Sequence, residues 1–288
     1  MNRPVRRHIV SYLLLLPSLI GVCCFLLVPI AVVLWLSVHS WNLLGPVTFN
    51  GFDNWRSVLT DRRFGHSILV TLMLTALVVP VQTVLGFGIA ALLAGRGRGG
   101  SVLRVAYALP WMCAPVAVGV LWQWLFAPTG GAVNAVLGRR IEWLSEPALA
   151  LPAVALTSVW LNVGYVALFF VAGLRAIPGE ILDAGALDGA VGLRRVRYLV
   201  LPLLRPTMFF VLVTGVLSAF QTFDSVYALT RGGPDHRTEV VGMRLYSEAF
   251  EAAHPGRAAV MAVVVFAVMF VITVVQHRYF RDRTSYEY

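Results

Sequence analysis

The sequence contains no lysine, since all 23 of its basic residues are arginine. A phosphate-binding loop of the Walker type places a lysine on the phosphates, so this chain holds no such nucleotide site. Enzymes that form a Schiff base through lysine are excluded for the same reason. Charged residues of both signs are also scarce, at 13% of the chain, about half of the ~25% usual in soluble domains. Water is therefore not the main solvent of this protein.

Cysteine is equally scarce, with only Cys23, Cys24 and Cys113. All three lie inside apolar runs, and their spacing fits neither a metal site nor a set of disulfides. We therefore expect three small, buried hydrophobic side chains. Catalytic patterns are missing as well, because the six histidines form no HExxH pair and no GxSxG turn occurs.

Long apolar runs are what the sequence has in abundance, with 58% hydrophobic residues. A helix needs about 20 apolar residues to cross ~30 Å of hydrocarbon, and its backbone groups must pair within the segment. Six segments meet this length and are predicted to be helices: about 9–38, 67–94, 103–126, 148–173, 206–229 and 257–277. Prolines within them are interpreted as kinks that a bundle tolerates: Pro17, Pro29, Pro80, Pro110 and Pro115. The predicted fold class is all-α, a polytopic membrane protein with six transmembrane helices.

The amino terminus resembles the start of a secretory signal peptide, because Arg3, Arg6 and Arg7 precede an apolar run. That run continues from Ile9 to Val38, whereas a signal core has about 7–15 residues. No small-residue cleavage site is evident either. We expect a retained first membrane helix.

The placement of arginine predicts the orientation of the helices, since cytoplasmic loops carry the excess of basic residues. Fourteen arginines lie on one side, in the two termini, in the 175–205 segment and at Arg96, Arg98 and Arg104, together with five acidic residues. Nine lie on the opposite side, in the connections at about 39–66, 127–147 and 230–256 and at the adjoining Arg257, together with nine acidic residues when Asp224 is counted. The net charges are +9 and 0. Both termini and the 175–205 segment are therefore predicted to be cytoplasmic.

The 175–205 segment carries eight charged residues between two apolar runs. Pro178, followed by Glu180 and Asp183, predicts the start of a short helix. Gly189 and Gly192 are predicted to end it, before a second short helix over Leu193–Leu201. Small side chains dominate between Asp183 and Ala190 and would allow a close approach to another surface. Two interpretations stay open here: a docking helix, or a solvated loop whose glycines only make turns.

Polar residues inside the predicted spans are the candidates for a solute path. Asp224 is the one charged residue within a span, where burial costs at least ~2.5–3.5 kcal/mol, so we expect it to face a cavity. Gln221, Asp224 and Ser225 are predicted to share one helix face. The full set of path candidates is Asn162, Trp160, Gln221, Asp224, Tyr227 and Gln123. The alternative is hydrogen bonding between helices, which we favour for Gln123 and Gln82.

The cytoplasmic segment resembles the EAA loop of binding-protein-dependent ABC importers of the sugar-permease type. That family carries a pattern close to P-x-E-[LI]-x-E-A-A-x-[IL]-D-G-A, followed after about ten residues by L-P. The matching positions, which the resemblance identifies as ATPase-coupling residues, are Glu180, Asp183, Ala184, Gly185, Asp188, Gly189, Ala190, Leu201 and Pro202, with Pro178 ahead of them. Asp183 stands where the family has Glu, and Gly185 where it has Ala. Glycine lowers helix stability by ~1 kcal/mol relative to alanine.

Other pieces resemble sugar-permease segments in the expected order, so the resemblance covers nearly the whole chain. They are NWRSVLTDRRF, ALPWMCAPVAVGVLWQWLF, LPLLRPT, SAFQTFDSVYALTRGGP and VVQHRYF. The resemblance implies a first helix and outer loop over 1–66, a transmembrane domain over 67–280 and a cytoplasmic tail over 281–288.

The resemblance also implies a function without catalysis by this chain. The chain would be a permease of the bacterial plasma membrane, paired with a second homologous permease. Two cytoplasmic ATPase subunits would bind ATP and Mg, this chain itself binding no cofactor, and an extracytoplasmic solute-binding protein would deliver a sugar, an amino sugar or a glycerol-phosphate-like compound. The alternative is a secondary transporter of small polar solutes. Such proteins usually show paired repeats with broken helices, and a proton or sodium relay would need more than one buried acid.

Overall fold

A computed structural model describes residues 14–94 and 100–281, and helices dominate both stretches. The start of the first predicted span, Arg96, Arg98 and the tail beyond residue 281 lie outside the described residues. The helices are α1 (Leu14–Leu36), α2 (Asp53–Leu59), α3 (Arg62–Ala94), α4 (Gly100–Met112), α5 (Pro115–Leu125), α6 (Ala132–Leu137), α7 (Ala150–Arg175), α8 (Gly179–Leu187), α9 (Leu193–Leu203), α10 (Arg205–Phe220), α11 (Asp224–Leu229), α12 (Val241–Tyr246) and α13 (Pro255–Arg281). Two short antiparallel strands, β1 (His39–Ser40) and β2 (Thr48–Phe49), pair His39 with Phe49.

Four of the described helices, α1, α3, α7 and α13, are each long and apolar enough to cross a membrane. Two bent pairs raise the number of candidate spans to as many as six: α4 with α5, bent by 95°, and α9 with α10, bent by 71°. The predicted all-α membrane class is confirmed.

The third predicted span is not one helix, and this part of the prediction is wrong. Helix α4 ends at Met112 and α5 begins at Pro115. Ala114 between them is extended, with φ −62° and ψ 125°, because a residue that precedes proline is pushed out of the helical region. Pro115 therefore opens a helix instead of kinking one, whereas Pro80 and Pro110 do lie inside helices.

The fifth predicted span is also interrupted. Helix α10 ends at Phe220, residues 221–223 leave the helical path, and α11 begins at Asp224. Phe223 has φ −131°, outside the helical range. A carboxylate is favoured in the first turn of a helix by the helix dipole, which suits Asp224 as the first residue of α11.

The expectation of buried cysteines is wrong, because Cys23, Cys24 and Cys113 are all exposed. The first two belong to α1, whose most apolar stretch has no buried residue. In a membrane protein an exposed apolar helix faces hydrocarbon or another chain, so low polarity here signals contact with lipid or a partner, not a position in the core.

The chain divides into two compact units. The larger unit comprises the described residues within 65–244 and 268–288 and has two hydrophobic clusters. The first contains Leu74, Phe126, Val154 and Val226, and the second contains Ala90, Phe170, Leu204 and Val211. Helices α3 and α7 contribute to both clusters and so form the axis of this unit.

Glycine permits two close helix contacts in the larger unit. A Cβ atom at Gly164 of α7 would overlap the backbone carbonyl oxygen of Tyr107 in α4. One at Gly119 of α5 would overlap the Cβ atom of Ala228 in α11. Small residues allow backbones to approach in this way and are typical of membrane helix interfaces.

The smaller unit comprises the described residues within 1–64 and 245–267 and has several polar contacts. The Asn54 amide donates hydrogen bonds to the carbonyl oxygens of Ser37 (3.2 Å) and His39 (2.9 Å). The Arg257 guanidinium lies 3.4 Å from Asp61 and 3.2 Å from Glu248, a carboxylate that is 2% exposed. The Asn54 bonds tie α2 to the strand segment, and the Arg257 contacts tie the start of α13 to Asp61 and Glu248.

Candidate functional site: two chambers and a coupling segment

A cavity of about 270 Å³, here named the first chamber, lies where both helix breaks of the larger unit meet α7. Its walls are formed by Trp111, Pro115, Ser158, Leu161, Asn162, Ser218, Gln221, Thr222, Phe223, Asp224 and Ser225. Non-helical backbone at membrane depth is tolerated where it lines a cavity. The two breaks therefore have a structural reason, since each contributes wall residues to this chamber.

Hydrogen-bonding groups in the first chamber have unused capacity. The Asn162 side-chain nitrogen donates to the Ser158 carbonyl oxygen at 2.9 Å, and its side-chain oxygen accepts no bond from the described residues. The Asp224 side chain is exposed and has no hydrogen bond or ion pair with a described residue. No basic residue lines the chamber. The arrangement suits a solute that donates hydrogen bonds.

A second chamber of about 160 Å³ shares the wall residues Trp111, Asn162 and Ser218 with the first. Its remaining lining residues are Gln82, Tyr165, Val166, Val211, Thr214 and Gly215. The rings of Trp111 and Tyr165 stack, with centroids 4.7 Å apart and planes inclined by 22°. Aromatic faces beside hydrogen-bonding side chains form a surface of mixed polarity.

Three of the predicted path residues, Asn162, Gln221 and Asp224, come together in the first chamber. The reason given for their proximity is wrong, because the break at 221–223 prevents Gln221 and Asp224 from sharing one helix face. The break itself brings them to the same cavity.

The other three predicted path residues line neither chamber. Trp160 meets Trp122 edge to face, with centroids 5.7 Å apart. Gln123 is exposed on α5. Tyr227 packs beside the first cluster, with the Arg231 guanidinium 5.7 Å from its ring centroid.

Sequence reasoning missed several wall residues, namely Trp111, Ser158, Ser218 and Thr222. Serine and threonine occur throughout apolar helices, where their hydroxyl groups commonly bond to the carbonyl one turn back, as Ser158 does to Val154 at 3.0 Å. A single sequence therefore does not show which serine and threonine residues line a cavity and which are buried between helices.

The segment Pro178–Leu203, here named the coupling segment, folds as two short helices joined by a turn. Pro178 immediately precedes α8, as predicted. After α8, Gly189 has φ +78°. The Gly189 N–H donates to the Ala186 carbonyl (3.1 Å), and the Ala190 N–H donates to the Gly185 carbonyl (2.8 Å). This is the Schellman pattern, in which a left-handed residue ends a helix.

Gly185 is the buried residue of α8 and lies against α9. A Cβ atom there would overlap the Cδ1 atom of Leu199. The departure from alanine therefore lets the two short helices approach more closely. Leu201 and Pro202 lie in the last turn of α9 and are partly buried. Pro206 lies in the first turn of α10, at the start of the next membrane helix.

We expect Gly185→Ala and Leu199→Ala to be strongly non-additive in stability. With Leu199 present, the added methyl group displaces its side chain and lowers the melting temperature. In the Leu199→Ala background the same change gains helix propensity, worth up to ~1 kcal/mol. Thermal unfolding of the four proteins of this cycle in detergent measures the effect. Additive shifts would contradict the packing described.

The outer surface of the coupling segment combines charge with exposed apolar side chains. Glu180, Asp183, Ala184 and Asp188 are exposed. So are Leu187 (92%), Val191 (63%) and Leu193 (82%), which the sequence did not single out. Apolar side chains grouped on a polar surface mark a protein interaction site.

Comparison with known proteins agrees with this architecture. Residues 82–286, more than half of the chain, match the family model described as "Binding-protein-dependent transport system inner membrane component". The sn-glycerol-3-phosphate transport system permease protein UgpA of Agrobacterium fabrum is 34% identical over 96% of this chain and 97% of its own length. The protein of the same name from Pectobacterium atrosepticum is 32% identical over 99% of both chains.

Solved structures show the same fold. A chain of a bacterial ABC transporter involved in the import of the acidic polysaccharide alginate superposes with a TM-score of 0.84 at 20% identity, over 98% of this chain and 99% of that chain. A second structure of a bacterial alginate ABC transporter, in complex with an alginate pentasaccharide-bound periplasmic protein, gives 0.85 at 20% identity, over 99% of both chains. This chain is a multi-pass membrane permease and belongs to the family of binding-protein-dependent transport system inner membrane components.

Proposed function

We propose that this permease moves a carbohydrate-type solute across the plasma membrane by alternating access, driven by ATP that a separate subunit hydrolyses. The solute class is a sugar, an amino sugar or a glycerol-phosphate-like compound. The chain itself is non-catalytic and binds no cofactor, since ATP and Mg belong to the partner ATPase. The observation that carries the proposal is the coupling segment, a capped and exposed helix pair in a member of this family.

The coupling segment suits mechanical transmission to the membrane helices. Helix α9 leads directly into α10, and α10 ends at the break that borders the first chamber. A push on α8 is therefore carried along a continuous path to the wall of the solute cavity. Because α8 is capped at Gly189 and packed on Leu199, it moves as a rigid piece.

The proposed import function also implies partner subunits for this permease and an orientation in the membrane. The coupling segment and both termini face the cytoplasm, where the arginine excess lies. Two ATPase subunits bind there, one on this chain and one on a second homologous permease. An extracytoplasmic solute-binding protein releases solute to the outer connections. Leu187, Val191 and Leu193 supply the apolar contacts with the ATPase.

Co-purification tests the assembly. A tag on this chain is expected to recover an ATPase and a second permease, and vesicles containing the complex are expected to require ATP for uptake. A chain that transports solute alone, without nucleotide, would overturn the proposal.

Removal of polar groups from the first chamber is expected to slow uptake. Asp224→Asn removes a charged acceptor and Asn162→Ala an uncharged one, and each lost bond to solute lowers the rate by about tenfold. Gln123→Ala is the matched control, because Gln123 lines neither chamber. Uptake is measured with labelled maltose, N-acetylglucosamine and sn-glycerol 3-phosphate. Unchanged uptake in both chamber variants would contradict the assignment of the path.

A further inference from the structure

Helix α9 begins with arginines that have no acidic partner. Arg194 and Arg197 are exposed, and Arg195 between them is half-buried. None of the three forms a salt bridge or a hydrogen bond with a side chain of the described residues. The helix itself contains no acidic residue. Its positive charge is therefore available to an anionic partner outside the chain.

The buried face of α9 places this helix at the ends of two membrane helices. Val200, which is 8% exposed, belongs to the same hydrophobic cluster as Leu93 near the end of α3 and Phe170 near the end of α7. A Cβ atom at Gly173, close to the end of α7, would lie 2.9 Å from the Cδ2 atom of Leu204, which directly follows α9. Helices α3 and α7 are both candidate membrane spans. Helix α9 therefore lies where they leave the hydrocarbon.

The direction of α9 is steeply inclined to the membrane helix that follows it. The bend between α9 and α10 is 71°. Membrane helices are tilted by ~20° on average, so with α10 at such a tilt α9 makes an angle of roughly 50–90° with the bilayer normal. A helix at this angle runs along the membrane surface, with one face on the protein and another toward the lipid headgroups.

An aromatic side chain accompanies the exposed arginines. Tyr198 is 67% exposed, and the Arg197 guanidinium lies 5.7 Å from its ring centroid. Tyrosine is enriched at the boundary between membrane and water, because its ring is apolar and its hydroxyl is polar. The guanidinium group donates paired hydrogen bonds that match the geometry of a phosphate. Arginine beside tyrosine at this level therefore suits the phosphate of a lipid headgroup.

The ATPase is the competing partner for this positive charge. The apolar side chains that we assign to the ATPase contact, Leu187, Val191 and Leu193, lie on α8, in the turn and at the first residue of α9. The arginines follow them along α9, closer to the membrane helices, and have the exposed Tyr198 beside them. This position favours lipid over a second protein.

We infer that Arg194, Arg197 and Tyr198 bind the anionic phospholipid headgroups of the cytoplasmic leaflet. The inference rests on the proposed function, which places the coupling segment in the cytoplasm. Because α8 is packed on α9, a headgroup bound to α9 holds the base of the coupling segment at the membrane surface. Each arginine near an anionic surface strengthens binding by about fivefold, which gives about 25-fold for two.

Photo-crosslinking to the detergent-purified complex, recovered through a tag on this chain, tests the inference. The probes are photoactivatable phosphatidylglycerol and phosphatidylcholine, with adducts mapped to peptides by mass spectrometry. Phosphatidylglycerol is expected to saturate an adduct on α9, whereas phosphatidylcholine is not. Arg194→Gln with Arg197→Gln is expected to raise the half-saturating concentration about 25-fold. The matched control is Arg139→Gln with Arg140→Gln, an exposed pair in the connection between α6 and α7.

Two further measurements separate charge from folding. The glutamine pair is expected to keep the melting temperature of the lipid-free complex, because these arginines have no partner in the protein. Arg194→Lys with Arg197→Lys retains both charges and is expected to keep most of the affinity. Added salt is expected to weaken the binding of phosphatidylglycerol to the native chain, since salt screens exposed charges.

Several results would overturn the inference: equal adducts with both lipids, an unchanged half-saturating concentration in the glutamine pair, or binding that does not respond to salt. Displacement of the lipid by an equal concentration of inorganic phosphate would indicate a site for free anions instead. Loss of the ATPase from the glutamine pair with unchanged lipid binding would assign the arginines to the ATPase contact. Failure of the importer proposal is distinguishable, because it shows as uptake without ATP, whereas lipid binding does not depend on ATP hydrolysis.

Discussion

Gly164→Ala is expected to prevent stable folding of the permease. The added methyl group would occupy the position of the Tyr107 carbonyl oxygen, an atom that cannot turn away because it belongs to the backbone of α4. Relief requires α4 and α7 to move apart along their contact. Overpacking in a well-filled interior costs about 1–3 kcal/mol, and we expect the upper end here.

Fluorescence-detected size exclusion and thermal unfolding in detergent measure this effect. The expected result is a loss of the monodisperse peak or a clearly lower melting temperature. Gly88→Ala is the matched control, because Gly88 also lies within a membrane helix and a Cβ atom there meets nothing within 4 Å. Alanine at that position is expected to be neutral or to stabilise α3 by up to ~1 kcal/mol. Equal stability of Gly164→Ala and the native chain would contradict the α4–α7 contact.

Gly189→Val is expected to release the ATPase from the complex. Gly189 has φ +78°, a conformation that costs a residue with a side chain ~1–2 kcal/mol and a β-branched one more. Valine therefore frays the Schellman turn that ends α8 and displaces the apolar side chain of Leu187. Because 1.4 kcal/mol corresponds to a factor of ten, we expect at least about a tenfold loss of recovered ATPase and of ATP-driven uptake.

A graded series distinguishes this conformational effect from simple crowding. Asparagine tolerates the left-handed conformation, so Gly189→Asn is expected to retain most of the ATPase although it also adds a side chain. Gly179→Ala is a second control, since a Cβ atom at Gly179 meets nothing within 4 Å at the start of α8. Equal losses for Asn and Val would show that bulk, not backbone conformation, controls the contact.

Local signals in the sequence predicted the coupling segment well. Proline before a helix and glycine after it act within a few residues, so Pro178 and Gly189 fix the ends of α8 without help from the rest of the fold. Family membership also excludes the alternative of a secondary transporter. The roles assigned to Glu180, Asp183 and their neighbours stay predictions, as does the division into segments at 66 and 280.

The helix breaks and side-chain contacts inside the larger unit were harder to predict from the sequence than the coupling segment. Hydropathy measures composition along the chain and does not register a change of direction, so two segments predicted as single helices contain breaks. The sequence did contain an indication of the break at Ala114, because a proline follows this residue. In membrane helices, however, proline more often produces a kink. Gln82 makes no hydrogen bond with the described residues, so the bond between helices expected for it is absent there. Its partners depend on which helices surround it, and no local pattern specifies that.

The close contact between Gly119 and Ala228 has a mechanical consequence. It joins α5 to α11, and each of these helices begins just after a break, at Ala114 or at 221–223. The first chamber has wall residues on both sides of each break, so any displacement of this helix pair relative to α4 and α10 changes the width of the chamber.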